Sequence, residues 1–186
     1  MSDMLVSAWF GPAFARLHPQ LQSLHRHGGK LRGPVEIRFG RGMAGIAGRR
    51  IARKLGIPCD GDKHSLEVTI SHGADALHWD RRFDDGRCFP STFQPYGHWP
   101  DGGWIEDTAV IGLRLQVDVV DGGWYWRCIG AQWGRLQIPR WLLPRSDAYK
   151  RIEGGRYRFS VSFELPLLGE VLRYGGLLEA TASPTQ

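Results

Sequence analysis

The most regular alternation of apolar and polar positions lies in Ala109–Ile129, AVIGLRLQVDVVDGGWYWRCI. Ala109, Ile111, Leu113, Leu115, Val117 and Val119 alternate with Gly112, Arg114, Gln116 and Asp118. A period of two puts the apolar set on one face of a strand, and that face has to be covered. Asp121-Gly122-Gly123 offers the left-handed backbone positions of a hairpin turn. On the return arm Trp124, Trp126 and Cys128 share one side, and Tyr125, Arg127 and Ile129 the other. Bulk on both faces suits a strand between a helix layer and a cavity, or one inside a closed barrel.

The same period recurs along the chain. After a turn at Gly28–Gly33, Val35, Ile37 and Phe39 alternate with Glu36 and Arg38. Leu66, Val68 and Ile70 alternate with Glu67 and Thr69. In Leu77–Phe83, Trp79, Arg81 and Phe83 oppose His78, Asp80 and Arg82, and Asp84-Asp85-Gly86 turns the chain into Cys88–Phe93. Tyr96–Gly103 reads as a long connection whose flanking Trp99 and Trp104 either close an opening of the sheet or pack locally. Trp133–Ile138 is a weaker strand, Pro139–Pro144 a compact turn with two apolar anchors, and Asp147–Glu153 an edge segment. Beyond Gly154-Gly155, Tyr157, Phe159, Val161 and Phe163 define one face of a clear strand. Val171–Ala180 returns with Arg173 and Tyr174 on opposite faces, and Thr181–Gln186 reads as a loose tail.

Two segments carry a helical period instead. Phe10, Phe14, Leu17, Leu21 and Leu24 recur at three- and four-residue spacing within 8–26, and Pro19 divides them into two short helices. This stripe predicts cover for one face of a sheet. In Gly42–Leu55, Met43, Ala47, Ile51 and Leu55 share a stripe, while glycines at 42, 45 and 48 weaken the helix and leave a loop–helix lid open.

Together these elements predict one domain over 1–186, with a helical region at 8–26 and about nine antiparallel strands over 34–180. The crossover helices of a parallel sheet are missing. The expected class is mainly β with N-terminal helices, a strongly curved antiparallel sheet or calycin-like barrel. The alternative is an α+β helix-grip fold. Closing the sheet would protect its edges, and a small barrel can hold one small ligand.

Composition narrows this picture. Hydrophobic residues at 42% and charged residues at 23% fit a globular chain, and eight tryptophans favour an aromatic-lined interior. The net charge of +5 permits an anionic partner without making nucleic acid a favoured one. Three widely spaced cysteines, Cys59, Cys88 and Cys128, do not form a secreted disulfide framework. The N-terminus lacks a basic leader, and no apolar span reaches the roughly 20 residues of a membrane helix. The expected location is cytoplasmic, with peripheral membrane contact left open.

Candidate chemistry is sparse. RFGRGMAG is neither a dinucleotide fingerprint nor a phosphate loop, and no GxSxG elbow is present. His18, His25 and His27 lack a local Cys or carboxylate to complete a metal set, so no metal and no cofactor are expected. His25 is expected at a helix end or a pocket edge. Arg81 stands out because its same-face neighbours are Trp79 and Phe83; a buried arginine needs an acidic partner or an anionic ligand, and Glu106 or Glu153 could supply the former. Trp79, Arg81, Glu106, Trp124, Trp126 and Tyr157 are the candidate ligand-binding residues. Arg49, Arg50, Arg53 and Lys54 form a basic surface patch.

The segments WFGPAFARLHPQLQSLH, GIAGRRIARKLGIP, QIPRWLLPRSDA and RYRFSVSFELPLLGEVLRYGG resemble a bacterial family designated domain of unknown function 4166. Gly11, Leu17, Pro19, Leu24 and His25 match its opening pattern, and Pro139, Leu142 and Pro144 its proline-flanked central motif. Trp9-Phe10 departs from the leucine-rich opening of that pattern. The resemblance implies a domain found alone or attached to proteins similar to saccharopine dehydrogenase, hence a metabolic or lipid-related partner. It supplies no catalytic residues.

The leading expectation is non-enzymatic binding of a small apolar or amphipathic ligand, a class that includes lipid-like molecules. A second is an accessory or partner-binding domain for a reductase-like protein, with the basic patch as contact surface. A third is a small enzyme with acid/base groups drawn from His78, Asp80, Glu106 and Glu153. A close histidine–carboxylate pair inside a cavity would favour that third class.

Overall fold

The computed structural model describes residues 5–108, 112–133, 136–139 and 145–182. Among the described residues there are eleven strands: β1 (Gly29–Phe39), β2 (Lys63–His72), β3 (Leu77–Phe83), β4 (Cys88–Tyr96), β5 (Gly103–Asp107), β6 (Gly112–Val120), β7 (Gly123–Trp133), β8 (Leu136–Ile138), β9 (Arg145–Glu153), β10 (Arg156–Leu165) and β11 (Gly169–Ala182). They pair antiparallel in the order β6-β5-β4-β3-β2-β1-β11-β10-β9-β7-β8. A further pairing of β6 with β7 closes ten of them into a barrel, while β8 hangs on the far half of β7. The fold is thus mainly β and calycin-like. Closure leaves the ten strands without a free edge.

Alternation dictates the interior. Leu31, Val35 and Ile37 of β1, Leu66, Val68 and Ile70 of β2, and Leu115, Val117 and Val119 of β6 are buried at every second position. A register shift between Arg114 and Leu115 makes Ile129 an extra residue in β7. That bulge switches the parity of β7, so Trp124 and then Ala131 both turn inward and are buried.

Several boundaries differ from the sequence expectation. The 29–33 segment is strand, paired with both β2 and β11, and Gly33 lets the Leu177–Leu178 backbone of β11 approach closely. Thr181 and Ala182 of the expected tail belong instead to β11, paired with Lys30 and Gly29, and 183–186 lie outside the described residues. Ala109, Ile111 and the 140–144 part of the proline-flanked turn also lie outside them.

The helices close the two ends of the barrel. α1 (Leu5–Phe10) runs into a 3₁₀ turn at Gly11–Arg16, and α2 (Pro19–His27) follows the break at Pro19. Rather than covering a sheet face, this segment plugs one mouth. His18 donates its backbone N–H to the Gly122 carbonyl at 2.9 Å, and the Trp9 indole donates to the Tyr96 carbonyl at 3.2 Å. Phe10 meets Trp124 edge to face at 4.9 Å, and Trp9 meets Trp104 at 5.3 Å. Trp104 therefore packs into the plug.

α3 (Met43–Leu55) lies at the opposite end, against β11 and β1. Its tightest face is offset from the expected stripe, of which Ala47, Ile51 and Leu55 are half-buried against the core. Ala44, Gly45, Gly48 and Ala52 are buried, whereas Met43 is 74% exposed. The cause is proximity: a Cβ on Gly48 would collide with the Val171 carbonyl of β11. Only a small-residue stripe admits that approach, which turns Ile51 and Leu55 toward the barrel interior.

Candidate functional site

The plug fills only part of the barrel. Between its aromatic layer and α3 lies a cavity of about 410 Å³. Its wall is mostly apolar and aromatic, with contributions from β3 to β11 and from Ile51, Lys54 and Leu55 of α3. The inward face of β10 supplies Tyr157, Phe159, Val161 and Phe163, the four residues whose alternation marks that strand in the sequence.

Of the six candidate ligand-binding residues, Trp79, Arg81, Glu106, Trp126 and Tyr157 line the cavity. Trp124 does not; it is fully buried behind the wall, in contact with Phe10 and His25. His25 sits deep in the plug, stacked on Trp79 at 6.0 Å and tilted against Trp124 at 4.7 Å. Burial, and then the nearby Lys150, lowers its pKa well below the ordinary histidine value.

A small polar cluster interrupts the apolar wall. Arg81 Nη2 lies 3.8 Å from Glu106 Oε1, and Arg81 Nη1 donates to Ser91 Oγ at 2.8 Å. Its guanidinium also covers the rings of Phe89 and Trp79 at 4.7 and 5.4 Å. Glu106 is thus the acidic partner, whereas Glu153 is outside the barrel with Arg151 and Arg158. Burial raises the Glu106 pKa, against the opposing pull of Arg81. Two tyrosines complete the cluster: burial pushes Tyr174 up to about 12 and raises Tyr157 further still.

The residue that sequence reasoning missed is Lys150 of β9. It is 2% exposed, and its Nζ lies 3.8 Å over Trp124, 4.5 Å over Trp79 and 5.3 Å over Trp126. Burial, reinforced by Arg81, pushes its pKa well below the ordinary lysine range; Glu106 pulls the other way. The available signal was weak: Ala148, Lys150 and Ile152 share a parity, but one alanine and one isoleucine do not announce an inward face.

The acid/base candidates separate. His78 and Asp80 alternate with Trp79 and Arg81 on β3 and so point away from the cavity, with His78 Nδ1 at 3.3 Å from Thr92 Oγ1. Glu106 alone of the four lines it. The His64–Asp84 pair, 3.0 Å apart, lies outside the lining. Among the described residues no group of three His, Cys, Asp or Glu side chains is placed to hold a metal ion. No described helix is long and apolar enough to cross a membrane.

Arg49, Arg50, Arg53 and Lys54 are exposed on α3, with Arg49 over the Phe39 ring at 4.7 Å. Lys54 differs from the other three in also reaching the cavity rim. A family model described as Domain of unknown function (DUF4166) matches residues 17–178, a span from the start of α2 to the inner part of β11. No curated protein matches the chain.

Proposed function

We propose that the chain, which belongs to this family, is a binding module that encloses a small apolar or amphipathic molecule within its barrel. The observation that carries this reading is the cavity itself. Its size falls within the roughly 300–1,000 Å³ of small-molecule pockets, and its wall has their composition, largely apolar with few polar groups. Saturable quenching of tryptophan emission by a long-chain alcohol tests it, because Trp79 and Trp126 face the guest. Ala148→Trp, which fills the cavity from β9, is expected to abolish that titration while far-ultraviolet circular dichroism stays unchanged. An unaltered titration in A148W would contradict the internal site.

A second reading concerns the outer stripe of α3. Met43, 74% exposed, and Ile46, 65% exposed, continue into Arg50 and Arg53 at helical spacing. Exposed apolar and basic residues on one helix face suit transient contact with an anionic bilayer. Co-sedimentation with phosphatidylserine-containing vesicles is expected to fall as salt rises and to be lost in Arg50→Glu/Arg53→Glu. Binding indifferent to lipid charge would refute this reading.

A further inference from the structure

The charged lining residues of the cavity do not balance. Lys54, Arg81 and Lys150 face Glu106 alone among the described residues. Arg81 is satisfied, since Glu106 and Ser91 both lie against its guanidinium. Lys150 is in a different position. Its Nζ has no hydrogen-bond acceptor among the described residues, and the same holds for the hydroxyl of Tyr157, itself 2% exposed. Indole faces favour a cation but provide no counter-ion.

These two donors belong together. On the paired strands β9 and β10, Phe159 is opposite Lys150 and Tyr157 is opposite Ile152. Lys150 and Tyr157 are therefore diagonal neighbours on the inward face, within reach of one shared ligand group. A buried ammonium and a buried hydroxyl, both lacking acceptors and both on the wall of an apolar chamber, define the chemistry that would complete them. It is an anion with at least two acceptor atoms, attached to an apolar body.

Resting on the pocket reading above, we infer that the guest is a carboxylate-bearing amphiphile whose head group accepts hydrogen bonds from Lys150 Nζ and Tyr157 Oη. The groups that face Lys150 from the surrounding elements are His25 of α2, Arg81 of β3, Glu106 of β5, Tyr157 of β10 and Tyr174 of β11. Glu106 is the anion among them and is engaged by Arg81, so the head group adds the negative charge that Lys150 lacks.

Calorimetric titration of the full chain with dodecanoate, dodecanol and dodecylamine at neutral pH separates head group from tail. Dodecanoate is expected to bind at least about tenfold tighter than dodecanol, the scale of a charge-assisted hydrogen bond, with dodecylamine weakest. Lys150→Met is expected to erase the preference by weakening the acid alone, and Tyr157→Phe to reduce it. Equal binding of acid and alcohol to the wild-type chain would overturn the head-group assignment and leave the pocket standing. Undiminished acid binding by K150M would overturn it too. Binding of none of the three would remove the pocket reading along with it.

Discussion

Lys150 concentrates the tension in this barrel. Taking an ammonium out of water costs several kcal/mol, whereas indole contacts offset about 2 kcal/mol of that. Desolvation wins, in agreement with the direction of its pKa shift. The chain retains an energetically costly side chain where an apolar one would pack. Lys150→Met is accordingly expected to make the empty protein about 1–3 kcal/mol more stable at pH 7, read by urea denaturation. The pH dependence has a definite sign. Folded Lys150 loses its proton well below the ordinary range, while the unfolded chain holds it to about pH 10.4. Between those points the unfolded state binds the extra proton, so wild-type stability rises with pH and the penalty vanishes above the unfolded pKa. The advantage of K150M is full at and below the folded pKa and shrinks toward alkaline pH. A variant less stable than wild type at pH 7 would contradict this reading of Lys150.

Residue by residue, the sequence reveals much of the wall. Trp79 and Arg81 share a parity on β3, Tyr157 to Phe163 share one on β10, and both sets face inward. The sequence narrows the partner of Arg81 to two carboxylates, of which Glu106 occupies the place. Lys150 was illegible because lysine is exposed by default and its strand carries no strong apolar alternation.

At the scale of elements, α3 shows why an apolar stripe can mislead. Met43, Ala47, Ile51 and Leu55 carry the hydrophobic signal, yet the stripe that meets β11 is made of alanine and glycine. Backbone proximity to Val171 selects for the absence of side chains, and a hydrophobicity pattern does not register that. The glycines that weaken the helix are thus those that seat it. Gly48→Ala is expected to cost about 1–3 kcal/mol and to shift α3 away from β11, widening the rim where Ile51 and Leu55 meet the cavity. Denaturant unfolding and hydrogen exchange on α3 amides check both effects; wild-type stability and protection would refute the tight seat. The 29–33 strand is obscured in a related way, since Gly28–Gly33 reads as a turn although close neighbours make most of the segment a ladder.

For the whole molecule, period-two patterning identifies strands but not which of them meet. Closure depends on β1 meeting β11 and β7 meeting β9, and the first of these joins opposite ends of the sequence. The helical plug is also a long-range event: Trp9, Phe10 and His25 enter an interior built by residues many positions away. Hence the barrel was one of two architectures compatible with the pattern, and the division of its interior into plug and chamber was not visible at all. Guest binding depends on that division, because a fully plugged barrel would have no room for a guest. The most direct test is calorimetric titration of wild type and A148W with dodecanol at several temperatures. One-to-one binding to wild type with a negative heat-capacity change, the mark of apolar burial, is expected, and no binding to A148W. Absence of saturable binding to wild type, or equal binding to A148W, would contradict guest binding in the barrel.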